Sequence, residues 1–206
     1  MNGLPGVPPG VCRRVGGGVE GRLLADMARA RAGERLAELG SGCGEVAIRV
    51  ALRHPDNLVD ALELQGELNR VARRLALALA LAHGVAERLR ILDGDVRSPP
   101  AAMTPGGYAL VLCNPPFFSV GAGRLPPDPL RAAARFELNG TLADFCRCAA
   151  RLLSSGGRLH LVLRPERLAE LPAILGACGL EPPQVELARS RPDTPPFAAL
   201  ITARKA

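Results

Sequence analysis

The chain has 206 residues, 48% of them hydrophobic and 22% charged, and a net charge of +6. This length suits one domain, and the mean hydropathy of +0.12 excludes an intrinsically disordered chain. The longest apolar run, residues 75–82, is shorter than the roughly 20 residues that span a bilayer. Charged residues interrupt the amino-terminal stretch where a signal peptide would lie. We therefore expect a cytoplasmic protein without a membrane partner. We also expect a monomer.

The positive charge comes almost entirely from arginine, since Lys205 is the single lysine among 26 basic residues. An excess of this kind favours a polyanionic partner such as a nucleic acid. An arginine- and alanine-rich composition also arises in GC-rich genomes, so charge alone suggests nucleic acid without establishing it. The six cysteines lack the spacing of a zinc site. We predict reduced structural thiols and no metal.

Residues 1–19 are rich in Gly and Pro and predict a flexible or irregular lead-in, followed by one domain over residues 20–206. Residues 75–82 alternate like a strand, but Ala and Leu are strong helix formers and extend a helix already begun. Periodicity predicts helices over residues 20–32, 45–53, 66–83, 142–153 and 166–178. It predicts strands over residues 35–39, 58–63, 89–92, 109–113, 158–163, 185–189 and 197–203.

The alternation of strands and helices predicts an α/β fold with a mostly parallel sheet. A proline-rich turn over residues 191–196 separates the last two predicted strands. We expect these two strands to form an antiparallel pair at the edge of the sheet.

A glycine-rich loop follows the first predicted strand, with Glu38 before it and glycines at 40, 42 and 44. Glycines allow a sharp turn and the close approach of a ligand, and the helix that follows offers free N–H groups. Glu63 ends the second predicted strand, where a carboxylate can accept both hydroxyls of a ribose. Loop and carboxylate together indicate a nucleoside-containing cofactor.

Two cofactor classes fit a strand, a glycine loop and a second acid. A dinucleotide fingerprint reads G-x-G-x-x-G, whereas the spacing here is G-x-G-x-G. The stretch Glu38–Gly44 resembles the first motif of class I S-adenosylmethionine-dependent methyltransferases, and Asp95 after the third strand matches a later motif. The resemblance implies a Rossmann-like fold, with a seven-stranded, mainly parallel sheet, an antiparallel last strand and helices on both faces.

The same resemblance implies roles for the residues around these motifs. Glu38 and the loop would lie near the methionine part of S-adenosylmethionine, Glu63 would bind its ribose, and Asp95 would lie beside its adenine. The cofactor-binding residues implied in this way are Glu38, Gly40, Ser41, Gly42, Gly44, Glu63, Leu64, Asp95, Val96 and Asn114.

The second motif, Asn114-Pro-Pro-Phe117, directly follows the fourth predicted strand. Two prolines and a capping Asn would also make a rigid loop, but that account leaves the aromatic residues at the sheet edge unexplained. The motif resembles that of methyltransferases acting on a planar amino or amide nitrogen. In that family the Asn114 oxygen and the Pro115 carbonyl would accept hydrogen bonds from the target –NH2. Pro116 completes the motif, and Phe117 would stack on the target base.

This motif leaves two substrates open, adenine N6 in a nucleic acid and the side-chain amide of glutamine in a protein. Over residues 20–204 the chain resembles the bacterial adenine N6-methyltransferases, and most closely the subgroup that modifies adenine 37 of valine tRNA. The resemblance implies tRNA as the partner, with Arg124, Arg131 and Arg135 contacting phosphates or lying on a solvated helix face. A module that binds the cofactor or RNA without turnover is the remaining alternative. Phe136 stands where the subgroup often has His.

Overall fold

The computed structural model describes residues 18–83, 85 and 87–206. Apart from its last two residues, the predicted lead-in lies outside this range. The strands of the described part are β1 (Arg35–Leu39), β2 (Leu58–Glu63), β3 (Leu89–Asp93), β4 (Tyr108–Cys113), β5 (Leu153–Leu163), β6 (Gln184–Ala188) and β7 (Ala198–Arg204). Its α-helices are α1 (Val19–Met27), α2 (Glu45–Arg53), α3 (Gly66–His83), α4 (Pro129–Arg135), α5 (Leu142–Leu152) and α6 (Leu171–Ala177).

The strands form one sheet in the order β3-β2-β1-β4-β5-β7-β6. Neighbours from β3 to β5 are parallel, whereas β7 is antiparallel to both β5 and β6. The predicted seven-stranded sheet with an antiparallel last strand is confirmed. Because the chain leaves β1 towards β2 and returns on the other side at β4, the order reverses between β1 and β4. Open α/β sheets bind ligands at the carboxyl ends of such strands.

Hydrophobic side chains cover both faces of the sheet. One cluster contains Leu39, Phe145 and Leu159 and lies under α5 and α6, and the other contains Leu36 and Ile48 and lies under α1 to α3. A capping box at Thr141 and Asp144 begins α5. The apolar face of α5 packs on the sheet with residues of β4 and β5.

Cys43, Cys113, Cys146 and Cys148 are buried, and Cys178 is half-buried. Burial raises the pKa of the Cys146 and Cys148 thiols to about 12. These thiols therefore stay protonated and act as small apolar groups, as predicted. Within the described ranges, none of the helices combines the length and the apolar character that a bilayer span requires.

The structure corrects the prediction of one helix over residues 166–178. A 3-10 turn, Pro165–Arg167, comes first, and α6 begins only at Leu171. Pro172 occupies the first turn of α6, and proline tolerates that position while preventing a helix from continuing through it.

Three further elements differ from the prediction by more than one residue. Helix α1 ends at Met27, whereas the prediction extended it to residue 32. Helix α4 was not predicted, although Asp128 caps it by accepting a hydrogen bond from the Leu130 N–H at 3.0 Å, with Pro129 in its first turn. Both are start signals readable in the sequence. Strand β5 begins at Leu153, directly after α5, and so is longer than the predicted 158–163.

Candidate active site

A cleft of about 340 Å³ opens at the carboxyl ends of β1, β2 and β4. It brings together residues from both predicted motifs and from α4. Those that line it are Glu38, Gly40, Ser41, Gly42, Glu63, Leu64, Asp95, Val96, Asn114, Pro115, Pro116, Phe117, Arg131 and Arg135. Two further predicted residues, Gly44 and Arg124, are not among the described residues that line the cleft.

The glycine loop takes a conformation that side chains disfavour. Gly40 has a φ of +69°, and a Cβ atom there would lie 3.1 Å from the Phe145 ring. The N–H groups of Gly40 and Ser41 both donate to the Leu62 carbonyl, at 2.9 and 3.0 Å, which ties the loop to β2. The Ser41 hydroxyl is buried without a hydrogen-bond partner in the described part of the chain. The loop therefore offers an unused polar group to the cleft.

Glu63 ends β2 with a carboxylate that the backbone orients. One oxygen accepts the Gly42 N–H and the other accepts the Gln65 N–H, each at 2.8 Å. Burial raises the pKa of Glu63, while these hydrogen bonds partly oppose the shift. The backbone thus holds the carboxylate in the wall of the cleft, where its oxygens can accept hydrogen bonds from a ligand hydroxyl.

Glu38 lies deeper in the cleft and is only 2% exposed. Its Oε2 atom accepts the Ala47 N–H of α2 at 2.8 Å. Burial raises the pKa of Glu38 to about 8, and the nearby Glu63 and Glu45 carboxylates add to the effect. The group is therefore mostly protonated at neutral pH.

Asp95 lines the cleft but is already engaged by Arg97, which the sequence analysis did not single out. The carboxylate accepts the Arg97 backbone N–H at 2.8 Å and also binds its guanidinium group. These bonds lower the pKa of Asp95 and keep it ionised. Val96, which follows, is 9% exposed and forms an apolar part of the wall.

Asn114 follows β4 at the point where that strand meets β1, since Cys113 pairs with Leu39 in the sheet. This register brings the two predicted motifs together. The Asn114 Oδ1 atom is buried and has no hydrogen-bond partner among the described residues. A buried acceptor without a donor is costly, and such an atom suits a ligand that brings a donor.

The segment after the prolines packs against the end of α4. The Phe118 N–H donates to the Arg135 carbonyl at 3.0 Å, and its own carbonyl accepts the Glu137 N–H at 2.9 Å. The Phe118 and Phe136 rings lie 5.3 Å apart, and the Arg135 guanidinium lies 5.4 Å from the Phe118 ring. Phe136 thus contributes an aromatic contact to Phe118.

The structure separates the predicted arginines into two groups. Arg131 and Arg135 stand one helical turn apart on α4 and are exposed along the cleft, whereas Arg124 lies on an exposed loop outside its lining. Sequence reasoning missed Arg164, which also lines the cleft. Its position directly after β5 was a usable signal, because that strand ends at the same edge. Phe145, which packs under Gly40, had no local signal because its contact joins distant parts of the chain.

Within the described ranges, no group of three or more His, Cys, Asp or Glu residues is placed to hold a metal ion.

Comparison with known proteins places this cleft in a family. The model of the methyltransferase small domain matches residues 19–175. The chain is 34% identical over 154 residues to the tRNA1(Val) (adenine(37)-N6)-methyltransferase of Aeromonas hydrophila, covering 74% of this chain and 61% of that protein. It is 32% identical over 152 residues to the release factor glutamine methyltransferase of Chlorobaculum tepidum, covering 69% of this chain and 49% of that protein.

A solved structure shows the same architecture. The crystal structure of a predicted O-methyltransferase from Agrobacterium tumefaciens matches with a TM-score of 0.70 and 28% identity, covering 90% of this chain and 80% of that one. The chain thus spans about 60% of the length of the first curated relative and shares the fold of the solved one. By the extent of these matches, the chain belongs to the methyltransferase small domain family, and its fold is that of a class I methyltransferase.

Proposed function

We propose that the protein is an S-adenosylmethionine-dependent methyltransferase that modifies adenine N6 in tRNA. The observation that carries the proposal is the buried, unpartnered Asn114 Oδ1 atom, which lies in the same cleft as the Glu63 carboxylate. The Asn114 oxygen suits a substrate –NH2, and the Glu63 carboxylate suits a ribose. The Aeromonas hydrophila relative, named as a tRNA adenine N6-methyltransferase, supports this substrate.

The described residues fit S-adenosylmethionine, which supplies a methyl group bound to a positively charged sulfur. The Glu63 carboxylate at the end of β2 can accept hydrogen bonds from the hydroxyls of a ribose. Glu38 and the loop of Gly40, Ser41, Gly42 and Gly44 would hold the methionine part, where the unpaired Ser41 hydroxyl can bind a polar group. Leu64, Asp95 and Val96 would surround the adenine.

Asn114 and Pro115 would orient the target nitrogen. An exocyclic –NH2 has two N–H donors, which the Asn114 Oδ1 atom and the Pro115 carbonyl can accept. Accepting both donors draws electron density onto the nitrogen and directs its lone pair, so fixed orientation replaces a general base. Phe117, half-buried on the cleft wall after Pro116, offers a ring face for stacking a base that has left its helix.

Arginines at the cleft suit a phosphate-bearing substrate. Arg131 and Arg135 are exposed and line the same cleft as Phe117. They can contact RNA phosphates next to the target base, and the net charge of +6 favours the approach of a polyanion. Arg124, on its exposed loop, would extend this contact away from the cleft.

A protein glutamine is the competing substrate, because its side-chain amide carries the same –NH2 donors. The Chlorobaculum tepidum relative is named for that reaction. Nucleoside mass spectrometry of tRNA incubated with the protein and S-adenosylmethionine separates the two. We expect new N6-methyladenosine in tRNA. Unmodified tRNA together with methylated glutamine in a release factor would overturn the proposal.

The same assay tests the role of Asn114. Asn114→Ala should bind S-adenosylhomocysteine normally by calorimetry, while its single-turnover methylation falls about 100- to 1000-fold, as for the loss of one transition-state hydrogen bond. Asn114→Asp keeps an acceptor oxygen and should retain more activity. If Asn114→Ala loses cofactor binding in step with turnover, Asn114 acts on the cofactor or on the fold of the segment and not on the target nitrogen.

A further inference from the structure

The segment from Asn114 to Phe118 has few main-chain groups with which to hold its own shape. Pro115 and Pro116 have no N–H, so this turn cannot be fixed by hydrogen bonds that its own prolines donate. Its orientation therefore depends on donors from other elements. Phe118 forms backbone hydrogen bonds with Arg135 and Glu137, at the end of α4 and just after it. Because Phe118 follows the prolines, these bonds do not hold the prolines themselves.

Arg167 supplies a donor to the prolines themselves. It belongs to the 3-10 turn after β5, and its guanidinium donates to the Pro116 carbonyl at 3.2 Å. The same nitrogen donates to Glu137 Oε1 at 2.9 Å. The planar guanidinium thus joins the end of β5 to the segment that follows β4.

Glu137 completes the connection from the other side. Its side chain is 7% exposed and that of Arg167 is 10% exposed. Glu137 Oε1 also accepts the Leu142 N–H at 2.6 Å, at the first residue of α5. The backbone N–H of Glu137 donates to the Phe118 carbonyl. One residue therefore contacts the Asn-Pro-Pro-Phe segment, α5 and Arg167.

We propose that the Glu137–Arg167 ion pair positions the Asn114–Phe118 segment for methyl transfer. Neither side chain is among the described residues that line the cleft, so both act through the segment and do not touch substrate. A largely buried ion pair loses hydration and is weak evidence for a purely stabilising role. The hydrogen bond to the Pro116 carbonyl, in contrast, fixes the plane of the peptide between Pro116 and Phe117. It thereby also limits movement of Pro115 and Asn114, which precede this peptide.

The inference concerns the proposed methyltransferase reaction, but its first test needs no activity. Glu137→Gln keeps an acceptor for the Leu142 N–H and removes the charge, while Arg167→Lys keeps the charge and loses the planar donor set. The informative amide in peptides covering residues 114–118 is that of Phe118, which donates to the Arg135 carbonyl. Its hydrogen exchange should become about 10-fold faster in either variant, as expected for the loss of a charged hydrogen bond. Arg147→Lys is the matched control, because Arg147 pairs with Asp144 on the exposed side of α5.

Turnover provides the second test. Both variants should lower kcat for tRNA methylation about 10- to 100-fold, as small displacements of reacting groups do, with unchanged KM for tRNA and unchanged affinity for S-adenosylhomocysteine. The double variant should lose no more than the worse single variant, because both changes break one connection.

Two results would overturn the inference. The first is an unchanged rate of amide hydrogen exchange over residues 114–118 in both variants. This result overturns the inference whether or not the wild-type protein methylates tRNA. Faster exchange with full kcat in an active protein shows that the pair holds the segment without serving turnover. A wild-type protein inactive on tRNA refutes the proposed substrate alone, and the exchange result still decides whether the ion pair fixes this segment.

Discussion

Replacing Glu38 by Gln should make the stability of the protein less sensitive to pH. Glu38 is 2% exposed, and burial raises the pKa of its carboxyl group from 4.5 to about 8. Between these values the folded state binds a proton that the unfolded chain does not. The stability that this proton provides is complete below pH 4.5 and is lost as pH rises through about 8.

The size of the effect follows from the same two values. At about 1.36 kcal/mol per pKa unit, ionising Glu38 in the folded state costs at most about 5 kcal/mol. Gln has the shape of the protonated acid and can still accept the Ala47 N–H. Glu38→Gln should therefore match the wild type at pH 4.5 and exceed its free energy of unfolding by several kcal/mol at pH 9.

Urea unfolding of both proteins at pH 4.5, 7 and 9 in a reducing buffer measures this difference. Comparing the two cancels the titration of groups that do not interact with Glu38. A difference in the free energy of unfolding that stays constant from pH 4.5 to 9 would refute the reasoning, because it would mean that Glu38 titrates alike in the folded and unfolded states.

The raised pKa also links cofactor binding to proton release. If the positively charged methionine part of S-adenosylmethionine lies beside Glu38, binding favours the carboxylate and expels up to about one proton at pH 7. Calorimetry in two buffers of different ionisation enthalpy measures that proton. Glu38→Gln should bind more weakly and release no proton, and equal release by both proteins would exclude Glu38 as its source.

Three further changes test other parts of the molecule. Glu63→Ala should weaken binding of S-adenosylhomocysteine in calorimetry by about 1.5–3 kcal/mol per lost hydrogen bond, and unchanged affinity would exclude a ribose contact. Changing Arg131 and Arg135 together to Ala should flatten the plot of log tRNA affinity against log salt by about 0.7 per lost phosphate contact, whereas an unchanged slope would place both on a solvated face. Asp60→Asn should destabilise the protein at pH 7 by about 3–5 kcal/mol in urea unfolding, since Asp60 is 1% exposed and pairs with Arg35 and Arg90. Burial opposes the ionisation of Asp60, but hydrogen bonds from Arg90 and Tyr108 outweigh it and lower its pKa. This stability is therefore present above pH 3.8 and lost as pH falls through the folded pKa, so equal pH profiles would contradict the assignment.

The placement of the motifs could be predicted from the sequence because it depends on strand ends. Glu38 and Gly40 follow β1, Glu63 ends β2, and Asn114 follows β4. Parallel strands end at one edge of a sheet, so alternating strands and helices already imply that these residues meet. Local sequence also determines the secondary structure of residues 75–82. Although apolar residues alternate there as in a strand, α3 continues through them, as the helix propensity of Ala and Leu predicts.

Tertiary structure decided the contacts between elements far apart in sequence. Arg167 reaches the Pro116 carbonyl across 51 residues, and no periodicity or spacing signals that bond. The break before α6 places Arg167 in a separate turn, where one helix over residues 166–178 would have set its direction differently. Likewise, Arg131 lines the cleft and Arg124 does not, although both belong to the same basic stretch. Local sequence sets where an element begins and which face it buries, but the direction of a side chain across the cleft depends on how whole elements pack.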